Sequence, residues 1–263
     1  YVHGAVYEAN SFFVWVEKRF SKIHSLNLTA LYTPNRRGRS APMTREIRDL
    51  KGIRYNPNWG LQQGRPRNSR VRSIKEPIIM LNHYWKIGQN TTLNTNFAYQ
   101  FGMIGNSRID NGGTRLVVFN GQQAYLGGAR NPNPDYYQNL PSFFLQDENP
   151  NPQDYQNAFL AQERFVNNGQ FDWASLYRAN EIAVQTGGNS VYVLQEDRTD
   201  DSQFTANTIL NMQINENILF NGSLNYRKLK SENFALLQDL LGGTGYLDVD
   251  FFAEDDANID IGV

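Results

Sequence analysis

Cysteine is absent from the 263 residues, which excludes disulfides and thiolate metal sites and leaves the redox compartment unreadable. No run of 18 or more apolar residues occurs, so a membrane-spanning helix is excluded. Histidine appears only as His3, His24 and His83, with no spacing that pairs two on a metal. There is no HExxH, no GxSxG and no phosphate loop, so neither catalysis nor a cofactor is expected. Net charge is −1, which rules out the whole chain as a polyanion binder. Residues 1–20 hold no basic stretch followed by an apolar one. The start at Tyr1 fits a removed signal peptide and a piece of a longer chain equally, and residues 253–263 are expected to trail off without a closing element.

What is present is rings and amides. Phe, Tyr and Trp number 34, Asn 31 and Gln 17, yet the hydrophobic fraction is only 40% and the mean hydropathy is −0.57. Such a chain has little material for a thick aliphatic core. Charge is locally polarised. Twelve Lys and Arg lie between Pro34 and Glu76, and none follows Lys230, where eight acidic residues stand instead.

The structural signal has period 2. Phe204, Ala206, Thr208, Leu210, Met212 and Ile214 fall on one face, and Thr205, Asn207, Ile209, Asn211 and Gln213 on the other. Leu93, Thr95, Phe97, Tyr99 and Phe101 oppose Thr92, Asn94, Asn96, Ala98 and Gln100 in the same way. Successive strand side chains point to opposite faces, so one face is apolar and the other amide-rich. Strand pairs are expected at about 8–34, 71–109 and 203–232. Their short turns lie at Ser21–His24, Gly88–Asn90 and Asn215–Asn217. Long connections are expected at about 35–70, 110–202 and 233–263. The segments Leu26–Tyr32, Leu93–Tyr99 and Phe220–Tyr226 repeat one another, each ending in Tyr. Pro77 is expected to kink or bulge its strand. Within the second connection Asn151-Pro152 reads as N-cap and N1 of a helix running to about Val166, with Gly169 as its stop. Asp172 is expected to cap a second, short helix through Arg178.

Short turns at one end, long loops at the other and two-faced strands describe an all-β, antiparallel transmembrane β-barrel. Hydrocarbon offers backbone amides no partners, so a spanning sheet must close on itself. Tyr32, Tyr99 and Tyr226 then form a girdle on the loop side, and Phe20 and Trp85 one on the turn side. Asn94, Asn96, Asn207, Asn211, Asn221 and Asn225 face the lumen. Six strands cannot enclose an aqueous lumen, so residues 1–263 are expected to supply one segment of a larger barrel domain. A soluble β-sandwich or β-solenoid remains the alternative architecture.

Several stretches resemble a known family. Arg67–Val71, Glu76–Trp85 and Thr91–Gly102 are similar to barrel strands of TonB-dependent outer-membrane receptors, of the type with a carboxypeptidase-like regulatory domain. Asn131–Tyr137, Leu140–Phe143 and Gly242–Asp250 are similar to their loops. The resemblance covers about 11–252, in strand and loop texture. It implies a 22-stranded barrel in the outer membrane, a plug domain that this chain does not include, and import of a scarce nutrient (siderophore, glycan or peptide class) driven through TonB. Implied partners are outer-membrane lipid and lipopolysaccharide, the rest of the barrel and its plug, and TonB, with a surface lipoprotein as a further candidate. Nucleic acid is not among them. The competing functions are a passive porin-like or structural outer-membrane barrel and a secreted soluble β-rich binding protein.

Candidate ligand contacts in the loops are Arg54, Tyr55, Trp59, Tyr136, Tyr137 and Trp173, offering guanidinium forks and stacking rings. The basic stretch has three readings: a solvated loop, contact with lipopolysaccharide phosphates, or capture of an anionic substrate. The acidic stretch Asp248 to Asp256 offers oxygen ligands for Ca²⁺, although without EF-hand spacing, and a solvated loop is the stronger reading.

Overall fold

A computed structural model describes residues 1–119, 121–248 and 261–262. It is mostly antiparallel sheet. Strands β1 (Tyr7–Ala9), β2 (Phe12–Arg19), β3 (His24–Tyr32) and β4 (Asn35–Gly38) precede helix α1 (Arg45–Lys51). A hairpin follows, β5 (Trp59–Gln62) with β6 (Arg65–Asn68). Next come β7 (Val71–Lys75), β8 (Ile78–Lys86), β9 (Thr91–Asp110) and a second hairpin, β10 (Thr114–Phe119) with β11 (Gln122–Gly127). Helices α2 (Pro141–Phe144), α3 (Pro152–Asn168) and α4 (Trp173–Gln185) lead to β12 (Val193–Asn215) and β13 (Ile218–Asp239). A short pair, β14 (Leu247–Asp248) with β15 (Ile261–Gly262), ends the described chain.

The main sheet is a meander of six long strands in sequence order. β1 and β2 keep one register against β4 and β3, and those keep one register against β7 and β8. Each of these pairs is therefore one long strand, interrupted at Asn10-Ser11, Thr33-Pro34 and Glu76-Pro77. β9 pairs along β8 and β7 on one side and β12 on the other, and β13 closes the row. Pro77 does interrupt its strand: it has no N–H to donate, and its carbonyl accepts from the Phe101 amide at 3.2 Å. Opposite it, Gly102 sits at φ +136°, where a Cβ would stand 1.9 Å from the Lys75 carbonyl oxygen. Only glycine lets the two strands stay paired there.

The strands outrun their expected ends. β12 begins at Val193, ten residues before Gln203, and β13 runs to Asp239, seven beyond Glu232. Part of the expected 35–70 loop is strand β4, helix α1 and the β5–β6 hairpin. α3 starts at the expected cap, where Asn151 and Asp154 form a reciprocal capping box. α4 is capped by Asp172 as expected, but continues to Gln185.

The compact core lies at the loop end, beside the upper sheet. Phe171, Trp173, Leu176, Leu194 and Leu241 form one cluster, with Ile109, Tyr177 and Tyr192 against it. Ile47, Tyr55, Leu140 and Phe165 form a second. Asn180 ties this cap to the sheet. Its fully buried amide donates to the carbonyls of Tyr192 (2.7 Å), Leu240 (2.9 Å) and Leu241 (3.1 Å). It also accepts from the amides of Val191 (2.9 Å) and Tyr192 (3.1 Å). Asn180→Leu is expected to strand these groups and cost about 3 kcal/mol, read as a lower melting temperature.

A second fastening is ionic. The Arg67 guanidinium reaches Asp239 at 2.7 Å and lies 4.2 Å from the Trp173 ring centre. Burial pushes the Asp239 carboxyl up, but the Arg67 guanidinium, the Leu241 amide and the Tyr177 hydroxyl outweigh it and hold the group below its ordinary 3.8. A carboxyl depressed in the folded state stabilises above the unfolded pKa and loses that contribution as pH falls through the folded value. The cap is therefore expected to loosen below about pH 4. Asp239→Asn removes that acid-dependent step and leaves the protein less stable at pH 7, as an acid titration of both proteins would show.

Candidate functional site

Below the cap the apolar face of the sheet is not buried, whereas on the other face Asn27 and Thr29 are. The pairing sorts its side chains into rows across the strands. One row reads Val16, Leu28, Leu81, Phe97, Ala206 and Tyr226. The rows on its two sides carry Val14, Ala30, Ile79, Tyr99, Phe204 and Lys228, and Lys18, Leu26, His83, Thr95, Thr208 and Leu224. The next row toward the turns holds His24, Trp85, Leu93, Leu210 and Gly222. None of Leu93, Phe97, Leu210 and Leu224 is buried, and Leu224 is 72% exposed. Apolar surface of this extent is rare on a monomer in water.

The opposite face carries an asparagine row. Glu17, Asn27, Asn82, Asn96, Asn207 and Asn225 stand side by side, one per strand. Asn82 donates to Asn27 at 3.0 Å, Asn96 to Asn207 at 3.1 Å, and Asn207 to Asn225. Asn94, Asn211 and Asn221 lie on the same face as the row. Asn27 and Asn82 complete the row and were missed in the sequence. Asn27 shares the second position of each repeat with Asn94 and Asn221, a signal that could have found it. This face is not purely polar, since Trp15, Met80 and Ile209 also lie on it.

Two parallel lines cross the apolar face. Tyr226 pairs with Ala206 and Tyr99 with Phe204. Leu31 is on the row of Ile78, Gln100 and Gln203, so Tyr32, one residue on, is level with Ser202. The tyrosine line thus shifts two residues for every two strands. The three short hairpins close on equivalent pairs: Arg19 with Ser25, Lys86 with Thr92, and Gln213 with Leu219. These are level with Ile209, Asn211 and Gln213 of β12, and so shift by the same step in the same direction. One residue per strand is roughly 3.3 Å of rise for roughly 4.8 Å of spacing. For both lines to lie level, the strands must tilt by roughly 35°, within the range of barrel walls.

Seven residues separate the lines on each pair, roughly 23 Å along the strand. Exposed Phe20, Ile23, Ile87, Ile214 and Ile218 extend the apolar band into the turns. Beyond the tyrosines this face turns ionic, with Lys230–Glu232 at 2.7 Å, Arg198–Asp200 at 2.6 Å and Arg36–Glu8 at 3.8 Å.

The six loop candidates fall in separate surroundings. Tyr55 is a core residue: its hydroxyl donates to the Gly169 carbonyl at 2.6 Å, and burial first, then Asp135, pushes its pKa up. Trp173 is fully buried, with Nε1 donating to the Arg67 carbonyl at 3.2 Å. Both correct the expectation of ligand-facing rings, because a side chain closed off from solvent cannot stack on a ligand. Trp59 is half-buried and packs edge-on against His3. Arg54 is exposed, as is Tyr137, which stands edge-on to Tyr136 and Phe143. Of the acidic stretch proposed for Ca²⁺ only Asp248 is described, and residues 249–256 lie outside the described residues, as does the expected trailing end apart from 261–262. Among the described residues no cluster of three metal-ligating side chains occurs, and no helix is long and apolar enough to cross a membrane.

No protein family, no curated protein and no solved structure matches this chain.

Proposed function

We propose that this chain is part of the wall of an outer-membrane β-barrel of the TonB-dependent receptor kind, and that the assembled receptor imports a scarce nutrient of the siderophore, glycan or peptide class. The observation that carries the reading is the bare apolar band, bounded by two parallel lines of tyrosines and turns. A lipid-facing wall needs this arrangement: apolar side chains across the hydrocarbon, aromatic rings at its edge, and charge beyond. The amide face then meets water and the plug. Among the described residues β1 and β2 form one unpaired edge of the sheet and β13 the other; in the barrel they would pair with further strands, because unpaired backbone groups are too costly in hydrocarbon.

In this reading ligand binds at the loops and plug, and energy passed through TonB rearranges the plug to open the polar lumen. Lys75 and Lys228 stand just beyond the tyrosine line, where phosphates of lipopolysaccharide would meet them. No catalytic role is part of the reading. The test is fractionation of cells producing the full-length protein. Retention in the outer membrane through a urea wash, and release only by detergent, is expected. Recovery in the aqueous fraction would favour the secreted binding protein instead. Nutrient uptake that persists without TonB would favour a passive pore.

A further inference from the structure

The amide-rich face carries a pair of arginines that no ion pair among the described residues neutralises. Arg37 and Arg72 are directly opposite on β4 and β7, so their side chains share one face. The same row continues to Tyr7 on one side and Asn106 on the other. Like charges directly opposite repel, and the usual remedy is a carboxylate nearby. On the other face Arg36 has one, with Glu8 at 3.8 Å. On the same face as the pair, Arg108 has two, Asp197 at 3.1 Å and Asp110 at 3.2 Å. Among the described residues Arg37 and Arg72 have no ion pair.

Two buried polar atoms at this spot also have no partner, Nε of Arg72 and Oδ1 of Asn106. Buried polar groups are nearly always hydrogen-bonded, and here a donor and an acceptor on directly opposed residues are both left unpaired. The geometry points to an oxyanion site here, in which the Arg37 and Arg72 guanidinia hold a carboxylate or phosphate group of a ligand. Tyr7 and Asn106, flanking the pair, contribute neutral hydrogen bonds to hydroxyls beside that group. Guanidinium forks match both oxyanions bidentately.

The site rests on the reading that the amide-rich face is the aqueous one. It is independent of transport, because binding is read at equilibrium. Membrane retention and anion binding therefore fail separately.

The test is calorimetric titration of the full-length protein in detergent with inorganic phosphate and with D-galacturonate, using D-galactose as the neutral control. At least one anion is expected to bind, and galactose is not. Preference between the two anions identifies the phosphate or the carboxylate as the natural group. Arg72→Gln is expected to weaken binding at least tenfold, Arg72→Lys less, and Arg36→Gln on the other face less than twofold. Should Arg72→Gln fail to fold, the exposed Arg37→Gln gives the same reading. No binding of either anion, equal binding by Arg37→Gln and wild type, or an equal loss in Arg36→Gln would overturn the assignment.

Discussion

Leu210→Arg is expected, on the proposed lipid-facing reading, to destabilise the vesicle-inserted protein by roughly 2–4 kcal/mol, while Asn211→Arg next to it costs less than about 1 kcal/mol. Leu210 sits on the row of Trp85 and Leu93, on the apolar side, and is level with the lower part of the band. In the proposed lipid-facing wall a guanidinium there would have to leave water for hydrocarbon or drag water in with it. Asn211 pairs with Thr92 and Asn221 on the other face, where a charge stays hydrated. Urea midpoints of the two variants in lipid vesicles measure the difference. Equal midpoints would mean that the two faces meet the same medium.

Trp173→Ala is expected to cost about 3–5 kcal/mol, the range for deleting a large buried ring. The residue is fully buried among Phe171, Leu176, Leu194 and Leu241, hydrogen-bonded to Arg67 and covered by its guanidinium. Removing the ring opens a cavity and uncovers the Arg67–Asp239 pair together. The loss falls on the cap, because the six-stranded sheet below shares little of this core. Hydrogen exchange should therefore speed up in α4 and the β5–β6 hairpin and remain slow in the lower parts of β9 and β12. Uniform exchange across both regions would show that cap and sheet unfold as one unit.

The lower sheet was legible in the sequence because its two faces differ so sharply. Alternation from Phe204 to Ile214 and from Leu93 to Phe101, broken by short polar turns, placed strands and turns close to where they lie. The upper strands were not legible, for a related reason. Past Phe204 the apolar side carries Ser202, Asp200, Arg198 and Glu196, so the contrast between faces vanishes although the backbone pairing continues. Those residues are held as strand by their neighbours and by the cap, which a local pattern does not report.

The loop candidates mixed two classes that look alike in sequence. Tyr55 and Trp173 are core, whereas Tyr137 and Arg54 are exposed. An aromatic in a long polar connection carries no local sign of which it is. The Arg37–Arg72 pair lies within the twelve basic residues between Pro34 and Glu76, but only the strand register sets those two against each other.

In the proposed wall, apolar side chains below the tyrosines meet lipid while amides on the other face meet water. Spin labels placed one at a time at residues 204–213 of the vesicle-embedded full-length protein test it most directly, through their collisions with oxygen and with a water-soluble nickel chelate. Oxygen contact is expected to peak at 204, 206, 208, 210 and 212, with nickel contact peaking at the odd positions between. Collision profiles without a two-residue period, or with nickel favoured at both sets, would contradict it.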